Sequence, residues 1–330
     1  METALRPAGK RGLRAASHIP ELELKNFGYT VGTAPLTGDV SGSLQDWGML
    51  GNNRYGICGP AATEHGRMAK ALLSVANGVP TFEPGFKVPS DTETEALYFA
   101  YGISQGEPGP QPDYGVDNAT WNTWLFQQTQ LAKLAGDDVQ EFAFGEISTS
   151  TPNLQNFIHQ SMLDFHGVLI GVYLPDTAES DFENRIPWHV TAQDQPDPRL
   201  GHDILLVRYD ATGNLVISGY HVGEQFVTWG GLQWSDVNFD LDAITDIWVF
   251  VTAEDAARTG VNYQGLLATC KSLGGSVAPT PPPPVPPPSL LRVSMNEAAA
   301  IVANLKAANA PAPIRSQALA LLEALQKLVG

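Results

Sequence analysis

The sequence predicts one α+β domain over residues 27–274, closed by a proline-rich linker (275–290) and a helical hairpin tail (291–330). Three observations predict it. Helical periodicity fills the first half of the domain, strand-like runs fill the second, and a run of prolines ends it. Helices first and strands later, joined by short connections, imply a mostly antiparallel sheet.

Residues 1–26 read as a flexible basic arm. Its first 14 residues carry Arg6, Lys10, Arg11 and Arg14 against one Glu, and a plain disordered terminus is the favoured alternative. The stretch 59–77 repeats apolar residues at helical spacing (Ala61, Ala62, Met68, Ala69, Leu72, Leu73, Val75), and 91–101 and 118–135 are helical in the same way. Strands are expected over 168–174, 202–209, 214–220, 225–229 and 246–251. Asp210-Ala211-Thr212-Gly213 supplies a turn between two of them.

In the linker, eight of the twelve residues from Ala278 to Ser289 are proline, which favours a stiff polyproline II spacer. Beyond it, 295–307 and 314–328 are rich in Ala, Leu, Glu and Lys, and Pro311 and Pro313 break the helix between them. Ile314, Ala318, Leu321, Leu322, Leu325 and Leu328 make one apolar face. About 40 residues bury too little surface to stand alone comfortably. Such a hairpin suits docking to another copy or another protein, and a tail without a partner is the equal alternative.

Composition narrows the function. The 330 residues carry 35 acidic and 19 basic side chains, a formal net charge of −16. That charge repels phosphate backbones and anionic headgroups, so neither nucleic acid nor membrane is expected as a partner. No window approaches the ~18 apolar residues of a membrane helix, and the N-terminus lacks the apolar run of a secretory signal. Two cysteines, Cys58 and Cys270, exclude a disulfide framework and argue against a thiolate metal site. No phosphate-binding, zinc or dinucleotide motif is present, so no cofactor is expected. A cytoplasmic protein, or one assembled there into something larger, is the reading.

Cys58 lies in Asn52-Asn53-Arg54-Tyr55-Gly56-Ile57-Cys58-Gly59-Pro60-Ala61-Ala62, a glycine-marked loop that runs straight into the periodic stretch. A cysteine at a helix N-terminus meets unpaired N–H groups and the helix dipole, which favour its thiolate. Cys270, inside Gly265-Leu266-Leu267-Ala268-Thr269-Cys270, reads as structural. Among seven histidines, His202 follows Gly201 and opens Asp203-Ile204-Leu205-Leu206-Val207, so it begins a strand bound for the core. It stands 144 positions after Cys58, within the ~130–150 typical of papain-type cysteine and histidine spacing. His65 and His166 occupy apolar positions and read as structural. His189 and His221 share no metal-like spacing with a carboxylate or cysteine. Trp121 and Trp124, beside Leu125 and Phe126, read as core.

With these residues in view, Trp47-Gly48-Met49-Leu50-Gly51-Asn52-Asn53-Arg54-Tyr55-Gly56-Ile57-Cys58 resembles the nucleophile region of papain-like proteins from phage and bacterial genomes, distantly like bacteriocin-processing double-glycine peptidases. Residues 201–210 resemble their histidine strand, and Val227-Thr228-Trp229-Gly230 their tryptophan–glycine element. The resemblance implies a papain-like cysteine peptidase fold, a helical part followed by an antiparallel sheet. It also implies a peptide or protein substrate, Cys58 as nucleophile and His202 as base and acid. The oxyanion would be held by the Cys58 N–H and a side-chain amide, Asn52 or Asn53, with Asn52 favoured by its spacing. Trp229 would shield the imidazole.

The sequence departs from that pattern at the residue that orients the imidazole, where Val227 stands. Asp210, Ser218 or Thr228 could substitute, and spacing does not choose among them. Two functions follow: a thiol hydrolase cutting peptide or amide bonds, or a weak or inactive scaffold in a phage particle, docked through residues 291–330.

Overall fold

The computed structural model describes residues 17–107, 115–135, 140–239 and 243–274. The chain divides into two units, Met1–Ser276 and Val277–Gly330. The linker and tail expected from the sequence lie outside the described residues.

Two short 3-10 helices, Pro20–Leu22 and Leu24–Phe27, open the described chain. They are a correction to the expected arm. Leu22 and Leu24 are buried in the main core, and Glu146 accepts from both the Ile19 N–H (2.8 Å) and His18 Nδ1 (2.7 Å). Apolar side chains at alternate positions pull this segment onto the body. Residues 1–16 lie outside the description.

The helices are α1 (Cys58–Ala71), α2 (Asp91–Ser104), α3 (Asn118–Ala135), α4 (Leu154–Phe165), α5 (Ala178–Asn184), α6 (Ala253–Thr259) and α7 (Tyr263–Gly274). The strands are β1 (Thr37–Asp39), β2 (Leu72–Ala76), β3 (Val79–Phe82), β4 (Ala143–Glu146), β5 (Val168–Leu174), β6 (Asp197–Asp210), β7 (Val216–Ile217), β8 (Tyr220–Thr228), β9 (Gly231–Asp236) and β10 (Ile244–Val251).

One eight-stranded antiparallel sheet runs β4-β10-β5-β6-β8-β7, with β1 added to β6 and β9 to β8. The mixed helix and antiparallel-sheet class is therefore as expected. Helices α4 to α7 nonetheless fall among or after the strands, so the strict order of helices then strands does not hold.

The expected helix 59–77 is shorter. It stops at Ala71, and Leu72–Ala76 turns into a hairpin with Val79–Phe82. The turn is Asn77-Gly78, both at positive φ (52° and 75°), the combination a two-residue hairpin loop needs.

Helix α1 is buried on nearly every side, including Thr63, Glu64 and His65. It lies against the face of the sheet that carries Leu205: a Cβ placed on Gly66 would touch Leu205 at 3.7 Å. Helix α4 covers the other face. There Gln155 and Ile158 share a small apolar cavity with Ile170, Val172 and Phe226. These two layers put the head of α1 against β6, the strand that carries His202.

Candidate active site

Ile57, the N-cap of α1, contributes no side-chain cap, so nothing from that residue covers the first N–H groups around Cys58. The thiol is buried, 2% exposed, and donates to Asp203 Oδ2 across 3.7 Å. The fit between helix and strand is close. A Cβ on Gly59 would stand 3.0 Å from Asp203 Oδ2 and 3.1 Å from Val116, so only glycine lets the helix start come this near.

Asp203 is one of two buried carboxyls joined by a single amide. Asn118 Nδ2, at the start of α3, donates to Asp203 Oδ1 and also to Asp246 Oδ1 (2.8 Å). Thr245 Oγ1 donates to Asp246 Oδ2 (2.9 Å). Burial, and then the neighbouring charge of Asp246, push the Asp203 carboxyl well above the usual carboxylate range; burial likewise raises Asp246. Gly171 between them has no room for a side chain, since a Cβ would collide with Asp246 Oδ2.

His202 adjoins Asp203 on β6 and is 1% exposed. Strand alternation turns the two side chains to opposite faces, Asp203 toward α1 and His202 into the row of Val172. His202 Nε2 is hydrogen-bonded to Thr228 Oγ1 at 2.8 Å. The Trp229 indole stacks on the imidazole, with centroids 4.9 Å apart and planes 28° apart. Trp229 and Gly230 form the two-residue turn between β8 and β9, at φ 45° and 78°. Tryptophan at a positive φ is strained. Phe182 and Trp188 pack edge-on against it and help hold it there.

The loop before Cys58 is tied to that same turn. The Trp47 N–H donates to the Gly230 carbonyl (2.9 Å), and a Cβ on Gly230 would stand 3.0 Å from the backbone of Gly48 and Met49. Buried His65 donates Nε2–H to the Gly48 carbonyl (3.0 Å). Desolvation lowers its pKa to about 4, so it stays neutral and acts as a structural pin.

Each candidate now has a place. Asn52 is half-buried in a turn where its N–H donates to the Met49 carbonyl (2.9 Å), whereas Asn53 is exposed. Of the three proposed orienting residues, Thr228 meets the imidazole. Asp210 ends β6, eight residues from His202 and roughly 26 Å away along a strand. There its Oδ1 accepts from the Thr212 N–H at 2.9 Å. Ser218 donates to the Arg185 carbonyl (3.3 Å). Neither is placed to orient His202, which corrects those two expectations. Val227 points away from His202, into the row of Leu205.

Asp203, Asn118 and Asp246 were not foreseen. The available signal was an aspartate opening a run of apolar strand residues, since a carboxylate there requires a partner. Cys270 is structural: buried, donating to the Phe144 carbonyl (3.5 Å), its pKa pushed up by burial to about 12. Among the described residues no group of three or more His, Cys, Asp or Glu could hold a metal, and no helix is long and apolar enough to cross a membrane.

Fold and site thus define an α+β protein in which a cysteine heads a buried helix packed on a histidine-bearing antiparallel strand. No protein-family model matches the chain, and no curated protein matches it. Among solved structures, xylellain, a cysteine protease from Xylella fastidiosa, is similar with a TM-score of 0.48 and 14% identity, over 76% of this chain and 100% of that one.

Proposed function

We propose that this chain is a thiol hydrolase of papain-like fold that cuts peptide or amide bonds through Cys58 and His202. The observation that carries the reading is the hydrogen bond between His202 Nε2 and Thr228 Oγ1 beneath the Trp229 indole. A histidine fixed at Nε2 and covered by an indole has one orientation, and its Nδ1 is the nitrogen that would serve the thiol. Cys58 donates to Asp203, the residue after His202; the two side chains leave β6 on opposite faces, so the reading requires the imidazole to turn past the strand to meet the sulfur.

In this reading the imidazole takes the thiol proton, and the sulfur attacks the scissile carbonyl carbon. The oxyanion is met by the Cys58 N–H and the Asn52 side chain. The imidazolium then protonates the leaving amine, and water, deprotonated by His202, hydrolyses the thioester. Digestion of a mixed peptide library, read by mass spectrometry, tests this. The wild type should cleave and Cys58→Ala should not; equal product from both would end the proposal.

One observation favours a second reading. Cys58 and His202 are almost wholly buried, and a substrate carbonyl must reach the sulfur. A papain-like scaffold without catalysis, docked into a phage particle through residues 291–330, needs no such access. An intact library after prolonged digestion by the wild type supports it.

A further inference from the structure

We propose that Asp203 is a positioning residue for Cys58, directing one carboxyl oxygen at the sulfur while Asn118 and Asp246 fix the other side of the carboxyl. The proposal rests on the thiol-hydrolase reading and adds to it a group that controls when the sulfur can ionise.

The geometry assigns each oxygen of Asp203 a separate task. Oδ1 accepts from Asn118, and Oδ2 faces Cys58 Sγ at 3.7 Å. One amide nitrogen serves both Asp203 and Asp246, so the two carboxyls stand too close to be charged together. Both are buried, Asp203 at 4% and Asp246 at 3% exposure. The charged or titratable groups facing Asp203 are Cys58 from α1, Asp246 from β10 and Asp117 at the head of α3; His202 adjoins it on β6. Burial, and then the neighbouring charges of Asp246 and Asp117, raise the Asp203 carboxyl and so favour its protonated form.

A protonated Asp203 can carry its hydrogen on Oδ2 and donate it to a thiolate. An ionised Asp203 can only accept, and then keeps the proton on sulfur. The same contact therefore supports the nucleophile in one charge state and suppresses it in the other. Asn118 and Asp246 select the first state: Asn118 occupies Oδ1, and the charge Asp246 carries when ionised disfavours a second one on Asp203.

Iodoacetamide modification of the full chain, followed by mass across pH 5 to 9, tests this. Asp203→Asn keeps the shape and presents a permanent N–H donor to sulfur, so Cys58 should label at least as fast as wild type at pH 7. Asp246→Asn removes the like charge and lets Asp203 ionise. Labelling at pH 7 should then fall about tenfold, the equivalent of one pH unit. A wild-type profile in Asp246→Asn, or labelling slower than wild type in Asp203→Asn, would overturn the proposal. Near-UV circular dichroism checks folding, and should one variant fail to fold, the other decides.

A measurement on the unaltered protein stands beside these. Alkylating Cys58 should shift an infrared band of a protonated carboxyl, and no shift would also overturn the proposal. Failure of the two readings is separable. Profiles moved by His202→Ala but not by the aspartate variants remove Asp203 alone. Profiles moved by the aspartate variants but not by His202→Ala remove the hydrolase reading and leave the carboxyl contact.

Discussion

The indole of Trp229 lies over the imidazole of His202, 4.9 Å between centroids, at the cost of a left-handed backbone at a tryptophan. The strain is local and the benefit is the cover, so two substitutions separate them. Trp229→Ala loses the ring and keeps the strain, and should cost about 2 to 3 kcal/mol for a partly buried indole. Trp229→Gly loses the ring but relieves the backbone, and should be about 1 kcal/mol more stable than the alanine variant. Urea unfolding of the three proteins measures both differences.

Thr228 is the oxygen that meets His202 Nε2. Thr228→Val keeps the shape and leaves a buried ring nitrogen without that bond, costing about 1 to 3 kcal/mol. On the hydrolase reading, peptide cleavage falls at least tenfold in Thr228→Val and recovers in Thr228→Ser. Cleavage unchanged in Thr228→Val would remove Thr228 as the orienting group.

The local structure around this candidate site was legible in part, and each miss has a physical cause. The settings of Cys58 and His202 were readable because a glycine-rich loop before a helix and an apolar strand run are local signals, although β6 starts at Asp197, so His202 lies inside the strand and not at its start as expected. Thr228 was only one of three candidates. Matching the tryptophan–glycine pair points to Val227, yet strand alternation turns Val227 toward Leu205 and the next residue toward His202. Helical periodicity runs α1 on past Ala71 because Leu72, Leu73 and Val75 fit its spacing, whereas the Asn77-Gly78 turn folds these residues into a hairpin. Asn118 and Asp246 were invisible as a pair, since 128 positions separate residues that only the fold brings to one amide.

His65 gives the fold a pH dependence of known sign. Its folded pKa, about 4, lies below the ordinary 6.5, so between those values the unfolded chain binds a proton that the folded chain refuses. Stability is full above pH 6.5 and falls as pH drops toward 4, by about 3 kcal/mol from this residue. Urea midpoints from pH 4 to 7 should show the slope, and His65→Phe should flatten it. An unchanged slope in a folded His65→Phe protein would rule His65 out as its source.

Asn52 divides binding of the oxyanion from reactivity of the thiol. On the hydrolase reading, Asn52→Ala lowers peptide cleavage about 100-fold or more and leaves iodoacetamide labelling of Cys58 unchanged, because alkylation forms no oxyanion. Asn53→Ala, at an exposed position, should change neither. A loss of cleavage in the Asn53 variant with none in the Asn52 variant would reverse the assignment.

That a sulfur heading α1 and an imidazole on β6 act as one unit is best tested by the rate at which iodoacetamide labels Cys58 as pH rises. Cys270, with its pKa near 12, stays unreactive over the useful range, so one label per chain reports Cys58. Labelling should be well advanced below pH 8 and should move up in pH in His202→Ala. A midpoint near 8.5, the same in both proteins, would contradict the pairing and leave a buried, unassisted thiol.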